Sequence, residues 1–460
     1  MKNNILPLIF LTLFCSANSL PLSAAEHLPE LNNASGSTEN MTVANTLEDF
    51  FTAAMNFSPK LKIAEETLNI GSSRRQAASG RLLPQFNANA SLSDNRRFRH
   101  DIRTLDEFDG ERYSVQLTQV LFNWQAYSAR SAAYLTEDQY EAEYYSELSN
   151  LLTEVAEKYF DVLQANDALN SIAAELEAVQ RQHDQIQSLY DRQLSQITDL
   201  YQAQASVAAV EAEQLILQSQ FALKKEALRS VSGVSAGDLF SLSDSVDIPP
   251  LENSINYWVN QAEKNNHQIV AQEFAVKAAK KRVDEKRGAY MPQVTFIAQK
   301  QDSDVGFDNI STPRTENTYV GLDISIPLYA GGSNRAAIRE ATSQRRIAES
   351  ELQQTQLDAG EKVRTAYLQA RSAETLIEAA EKLVESTTLA STAMQRGFEL
   401  GTVTSVDVLN AVRDQYSAER DLQETRYNHI KFLLMLKREA GMLTADDMIE
   451  VGSWLEAPKN

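Results

Sequence analysis

The chain has 460 residues and carries 43 Lys and Arg against 63 Asp and Glu, a net charge of −20. So acidic a protein lacks the basic footprint that displaces counterions from nucleic acid, so no nucleic-acid partner is expected. The low totals of 16 Gly and 11 Pro leave room for long unbroken helices.

Residues 1–25 read as a secretory signal peptide. Lys2 is followed by an apolar run from Ile5 to Phe14 and by the small residues Ser23-Ala24-Ala25, with cleavage before Glu26 or, alternatively, after Ser19. The only cysteine, Cys15, lies in this segment behind the bulky Phe14, a poor context for lipid attachment. Residues 26–45 are expected to be a flexible N-terminal segment. No later stretch reaches the roughly 18 consecutive apolar residues of a spanning helix, so passage through a membrane would have to use strands.

The rest of the chain is duplicated. Asn266 lies 208 residues after Ser58, and at this spacing Glu65 matches Glu273, Arg74 matches Arg282, Pro84-Gln85 matches Pro292-Gln293, Tyr159 matches Tyr367 and Asp199 matches Asp407. The expected organisation is repeat 1 over 46–233, an equatorial linker over 234–265, repeat 2 over 266–441 and a C-terminal tail over 442–460. Each repeat reads as helix, strand, loop, strand, very long helix, short break and helix. Ser58-Pro59 opens the first helix as an N-cap followed by proline at the first helical position.

Strands are expected at about 85–94 and 112–121, where Phe86, Ala88, Ala90 and Leu92 alternate with Asn87, Asn89 and Ser91. Their counterparts fall at about 293–300 and 318–327. Asp94 to Glu111 and Gln301 to Asn317 read as loops. Each strand is about the length of a tilted spanning strand, but four strands cannot close a barrel whose smallest membrane examples have about eight.

No proline occurs between Pro84 and Pro249 and no glycine between Gly110 and Gly233. Within that interval Leu152, Val155, Tyr159, Val162, Asn166, Leu169, Ala173 and Leu176 form a seam with spacings of three and four. Leu200, Ala203, Val207, Val210, Gln214, Leu217 and Phe221 form a second. A helix from about Gln125 to Tyr190 would be roughly 100 Å long. The chain should reverse at Gln193 to Thr198, and again at Gly401 to Ser405, giving two long helical hairpins.

The five histidines, His27, His100, His183, His267 and His429, have no paired-ligand spacing, and no nucleophile elbow or phosphate loop is present. Neither a metal, a cofactor nor an enzymatic activity is expected.

The tandem repeat, the segments Gly80-Arg81-Leu82-Leu83-Pro84-Gln85 and Gly288-Ala289-Tyr290-Met291-Pro292-Gln293, the exit Ser325-Ile326-Pro327-Leu328-Tyr329-Ala330-Gly331-Gly332, and Phe398-Glu399-Leu400-Gly401-Thr402 resemble the TolC family of outer-membrane efflux and secretion channels. That resemblance implies a mainly α chain with a small β part. Three copies would form an α-helical barrel joined to a twelve-stranded transmembrane β-barrel in the outer membrane of a Gram-negative bacterium, extending into the periplasm. Implied partners are two further copies, outer-membrane lipid, a periplasmic adaptor and an inner-membrane transporter. The alternative is a periplasmic adaptor or structural hairpin protein.

The resemblance also implies site residues. Positions matching the family's periplasmic gate are Asp199, Phe398, Val403, Asp407 and Asn410, and three depart from it. Phe398 lacks the family's tyrosine hydroxyl, Val403 its guanidinium and Asn410 one of its two ring acids, leaving Asp407, so closure should rest on packing around Phe398 and on the superhelical twist of the helices, with Asp199 available for other partners such as Arg192 or Arg396. Hairpin tips for an adaptor would be Gln193, Leu194, Ser195, Gly401 and Thr402. The junction of barrel and tunnel would be Pro84, Pro292, Pro327, Gly331 and Gly332.

Overall fold

The computed structural model describes residues 43–243, 246, 248–304 and 314–457. The expected signal peptide and nearly all of the expected flexible segment lie outside the described residues. The elements run in two copies. Strand β1 (Val43–Ala44) leads into α1 (Leu47–Phe57), α2 (Pro59–Gly80), β2 (Gln85–Arg99), β3 (Thr104–Asn123), α3 (Trp124–Asp191) and α4 (Ile197–Ser232). After β4 (Ser235–Ala236) and β5 (Ser241–Leu242) come α5 (Ile255–Asn265), α6 (His267–Arg287), β6 (Gln293–Ser303), β7 (Thr315–Ser325), α7 (Ser333–Glu399) and α8 (Ser405–Glu439). Helix α9 (Ala445–Ser453) and β8 (Leu455–Glu456) finish the described chain.

The helix boundaries have local causes. Ser58 and Asn266 each end one helix and cap the next, Asn266 accepting from the N–H groups of Gln268 and Ile269. Thr46 with Asp49, Thr404 with Asp407, and Thr444 with Asp447 form capping boxes that satisfy orphan donors reciprocally. Gly233 and Gly441 terminate α4 and the turn after α8 with φ of 77° and 67°. A Cβ on Gly441 would fall 2.2 Å from the Asn265 carbonyl oxygen, so only glycine fits there.

Three expectations are corrected. Helix α5 lies in the segment read as linker, and by the repeat spacing it is the counterpart of α1, so each copy begins with a helix the sequence reading did not separate. Tyr159 donates to the Asn45 carbonyl and Tyr367 to the Asn253 carbonyl, the same bond in both copies. The first hairpin is also longer than expected. Most of Asp94 to Glu111 is strand, paired from Ser93 opposite Gly110 up to Arg99 opposite Thr104. Charged cross-strand partners such as Arg96 and Glu107 hide the alternation there. Finally, Val43–Ala44, expected to be flexible, pairs in parallel with Ser235–Ala236.

The seam of α3 is corrected in its lower half. Val155, Tyr159 and Val162 are buried as expected, but Ala173 is exposed and burial moves to Ile172, Glu175, Val179, Gln182 and Ile186. A straight helix drifts about 20° per heptad against a 3.5-residue repeat, which displaces the seam over a few heptads. The neighbours of α3 change as well, from α2 and α6 in the upper half to α4 and α8 in the lower.

The sheet runs β2-β3-β6-β7, antiparallel throughout, with β2 and β7 as its edges. The helices repeat that order as columns. Helices α2 and α4 flank α3 on one side, α6 and α8 on the other, and α7 packs against α6 and α8. A buried core around Phe50, Tyr159, Phe160, Leu228 and Tyr427 ties this wall to α1, α9 and the linker strands. Among the described residues no helix is long and apolar enough to cross a membrane.

Candidate functional site

The two hairpin tips are built alike. In the first, the Leu194 N–H donates to the Leu189 carbonyl and the Gln193 N–H to that of Tyr190. In the second, the Thr402 N–H donates to Gly397 and the Gly401 N–H to Phe398. The left-handed position is Gln193 in one tip (φ 67°) and Gly401 in the other (φ 72°). Leu194 and Leu400 stand exposed beside them. The Thr402 hydroxyl donates back to the Gly397 carbonyl at 3.0 Å.

Asp199 and Asp407 occupy the third position of α4 and α8. The Asp407 carboxylate accepts from the Thr404 hydroxyl at 2.6 Å and from its N–H at 3.0 Å, which holds its pKa below the usual aspartate value. Asp199 accepts instead from the Ser195 hydroxyl at 3.1 Å. Neither Arg192 nor Arg396 pairs with it among the described residues, a correction to the expectation above. A serine within the same turn satisfies the carboxylate without ordering a long side chain.

Phe398 and Val403 pack with Met394 against a buried cluster of Ile186, Leu200, Val408, Leu409 and Val412, drawn from α3, α4 and α8. Gly397 admits this contact, since a Cβ there would lie 3.1 Å from a Val403 methyl. Asn410 is exposed and accepts a 3.4 Å bond from Arg413.

Sequence reasoning missed the polar links higher up that tie α3 to α4 and α8. Asp161 accepts from both Lys224 (2.8 Å) and Lys431 (2.9 Å), the Tyr427 hydroxyl donates to Asp167 at 2.6 Å, and Arg420 donates to Glu175 at 2.8 Å. Burial lifts the pKa of Glu175 and Arg420 pulls it down, with burial the larger influence. The available signal was a glutamate on a seam position between Ile172 and Val179.

At the other end of the wall, Pro84 and Pro292 immediately precede β2 and β6. Beyond β7, Pro327 lies in an irregular segment that ends at Gly331 and Gly332, whose φ values are 60° and 88°; Gly332 is the N-cap of α7. In the first copy β3 runs straight into α3, capped by Asn123.

The sheet has two unlike faces. Phe86, Leu92, Val115, Val320, Leu322 and Ile324 share one, and Phe86 is 70% and Leu322 58% exposed. The other carries Asn87, Gln116 and Gln299 in register, then Asn89, Ser114, Gln301 and Asn317. Its amides bond along the strands, Gln116 to the Thr118 hydroxyl and Gln299 to Gln301.

A family model described as outer membrane efflux protein matches residues 50–234 and 258–441, one match on each copy of the repeat. The chain belongs to the outer membrane efflux protein family. It is 25% identical over 435 residues to the outer membrane protein TolC of Vibrio cholerae, covering 93% of this chain and 97% of that one. It is 26% identical over 415 residues to the alkaline protease secretion protein AprF of Pseudomonas aeruginosa, covering 87% and 85%. Among solved structures, the outer membrane protein VceC of Vibrio cholerae aligns with a TM-score of 0.73 at 20% identity, over 86% of this chain and 96% of that one. The Campylobacter jejuni CmeC outer membrane channel aligns with a TM-score of 0.74 at 15% identity, over 88% and 89%. These structures carry the family fold, an α-barrel joined to a β-barrel, and the present chain shares it.

Proposed function

We propose that three copies of this chain close into one passive duct across the outer membrane and periplasm, and that it exports cargo handed over by an inner-membrane transporter through a periplasmic adaptor. The observation that carries the reading is the unfinished wall. Strands β2 and β7 are free edges, and an open row of unpaired backbone groups facing lipid would cost several kcal/mol per group. The helical edges match. Leu215, Ile216 and Leu223 on α4, and Leu357, Leu368, Leu376, Leu383 and Leu389 on α7, are exposed in one chain. Pairing α7 of one copy with α2 and α4 of the next covers both stripes.

In that assembly the apolar face of the sheet meets lipid and the amide face lines an aqueous lumen. The tips meet at the periplasmic end, where packing of Phe398 and Val403 supports the closed state and Asp407 contributes a ring of negative charge. Gln193, Leu194, Ser195, Gly401 and Thr402 are the surface offered to the adaptor. The similarity to a protease secretion protein supports polypeptide export as one use of the duct. Conductance in planar bilayers tests the reading: purified protein should give discrete single-channel steps, and a protein that only adsorbs to the surface without passing current would contradict it.

A further inference from the structure

Inside the four-stranded part of the sheet, the amide face is almost free of charge. Its layers are Asn87, Gln116, Gln299 and Tyr319, then Asn89, Ser114, Gln301 and Asn317, then Ser91, Arg112, Ser303 and Thr315. Asp323 lies on this face at the helical end and Arg112 at the opposite end. Among the described residues Arg112 sits where four-stranded pairing ends: β3–β6 pairing runs to Ser303, and beyond it the described sheet is the extension of β2 and β3.

The acidic residues of this rim do not neutralise it. Glu111, Asp302 and Glu316 alternate onto the other face, where Asp302 pairs with Arg314 and Glu316 with Lys300. Arg112 is exposed and has no ion pair among the described residues. A cation without an ion pair among the described residues, on an otherwise neutral four-stranded face, becomes under threefold assembly a ring of guanidinium groups around the mouth.

We infer that Arg112 forms an anion-binding ring at the distal mouth of the duct, taking polyvalent oxyanions such as phosphate chains or clustered carboxylates. The inference rests on the trimeric duct proposed above. Guanidinium rings are the ordinary means by which pores hold anions, because the planar donor fork matches phosphate and carboxylate oxygens. With neutral amides below it, the ring meets no competing carboxylate until Asp323. An anion entering from outside is therefore held at the rim rather than drawn through.

The test is block of single-channel current by inorganic tripolyphosphate. Protein is added to one chamber, so the barrel end inserts first and the rim faces the opposite chamber. Tripolyphosphate in that chamber should block the wild-type duct, and the block should weaken as salt rises and screens the ring. In Arg112→Ser the half-blocking concentration should rise at least about tenfold, whereas Arg112→Lys, which keeps the charge and loses the planar fork, should fall between wild type and Arg112→Ser. An equal block in Arg112→Ser, or a wild-type channel indifferent to tripolyphosphate, overturns the inference and leaves the duct standing. A wild-type protein that passes no current overturns both.

Discussion

Removing Arg420 should expose the cost of a buried carboxylate, and the cost should depend on pH. Glu175 on α3 has a side chain 2% exposed, and Arg420 on α8, 18% exposed, donates to it at 2.8 Å. The other charged groups acting on Glu175 are Glu213 on α4 and Arg413 on α8, and Arg420 is the stronger of the two cations. Arg420→Met therefore leaves a carboxylate without its principal partner in the α3–α4–α8 interface. Breaking a buried pair from one side costs about 3–5 kcal/mol. The lower end, about 3 kcal/mol, applies because Arg420 keeps some contact with water.

Burial already raises the folded-state pKa of Glu175 above its unfolded value. Its favourable contribution is thus complete below the unfolded pKa and fades as pH rises through the folded one. Arg420→Met raises that pKa further. The defect should be full at pH 8 and shrink towards pH 5 as Glu175 takes up a proton. At about 2.1 cal/mol/K per residue, 3 kcal/mol corresponds to about 3 °C for a chain of this length. The assay is the thermal midpoint of detergent-solubilised protein at one scan rate, for wild type, Arg420→Met, Glu175→Leu and the double variant, at both pH values. The double variant should recover most of the loss, since apolar replacement of a buried pair is close to neutral. A midpoint for Arg420→Met equal to wild type at pH 8, or a loss of the same size at both pH values, would show that Glu175 does not depend on Arg420 for its charge.

Further outcomes follow from other parts of the wall. Gln193 holds a left-handed backbone that Gly401 holds freely in the other tip, so Gly401→Gln should destabilise the second hairpin by about 1 kcal/mol while Gln193→Gly costs nothing or stabilises; hydrogen exchange at the two tips reads the difference. Trivalent hexamminecobalt added on the tip side should block current, and Asp407→Ala should relieve it. Because Thr404 keeps the Asp407 pKa low, the block should persist below the pH at which an ordinary aspartate is neutralised. Leu322→Arg, on the apolar face, should cost about 2–4 kcal/mol and reduce the membrane-extracted fraction, whereas Gln299→Arg on the amide face should leave it unchanged.

Much of this architecture was legible in the sequence because the duplication repeats its punctuation. Pro84 and Pro292 mark the strand entries, and Gly233 and Gly441 the helix ends. Helices α1 and α5 escaped notice because Ser58 and Asn266 look like starts of helices and conceal that each also ends one; the Thr46–Asp49 capping box was the signal for α1. The extension of the first hairpin was hidden because alternation of opposite charges, as at Arg96 and Glu107, carries no hydropathy contrast. At the gate, residue positions could be read but partners could not. Ser195 beside Asp199 and the packing of Val403 on Gly397 depend on the fold of the turn, and Arg420 reaches Glu175 across 245 residues of chain.

Each polypeptide is proposed to supply one third of a closed wall, and the seam between neighbouring copies can be probed directly. With Cys15 the only native cysteine, a panel of double variants, each with one cysteine on β2 and one on β7, can be oxidised in intact outer membranes and run on a denaturing, non-reducing gel. Register-matched pairs should give covalently linked dimers and trimers. Single-chain species from every pair in the panel would contradict the closed wall.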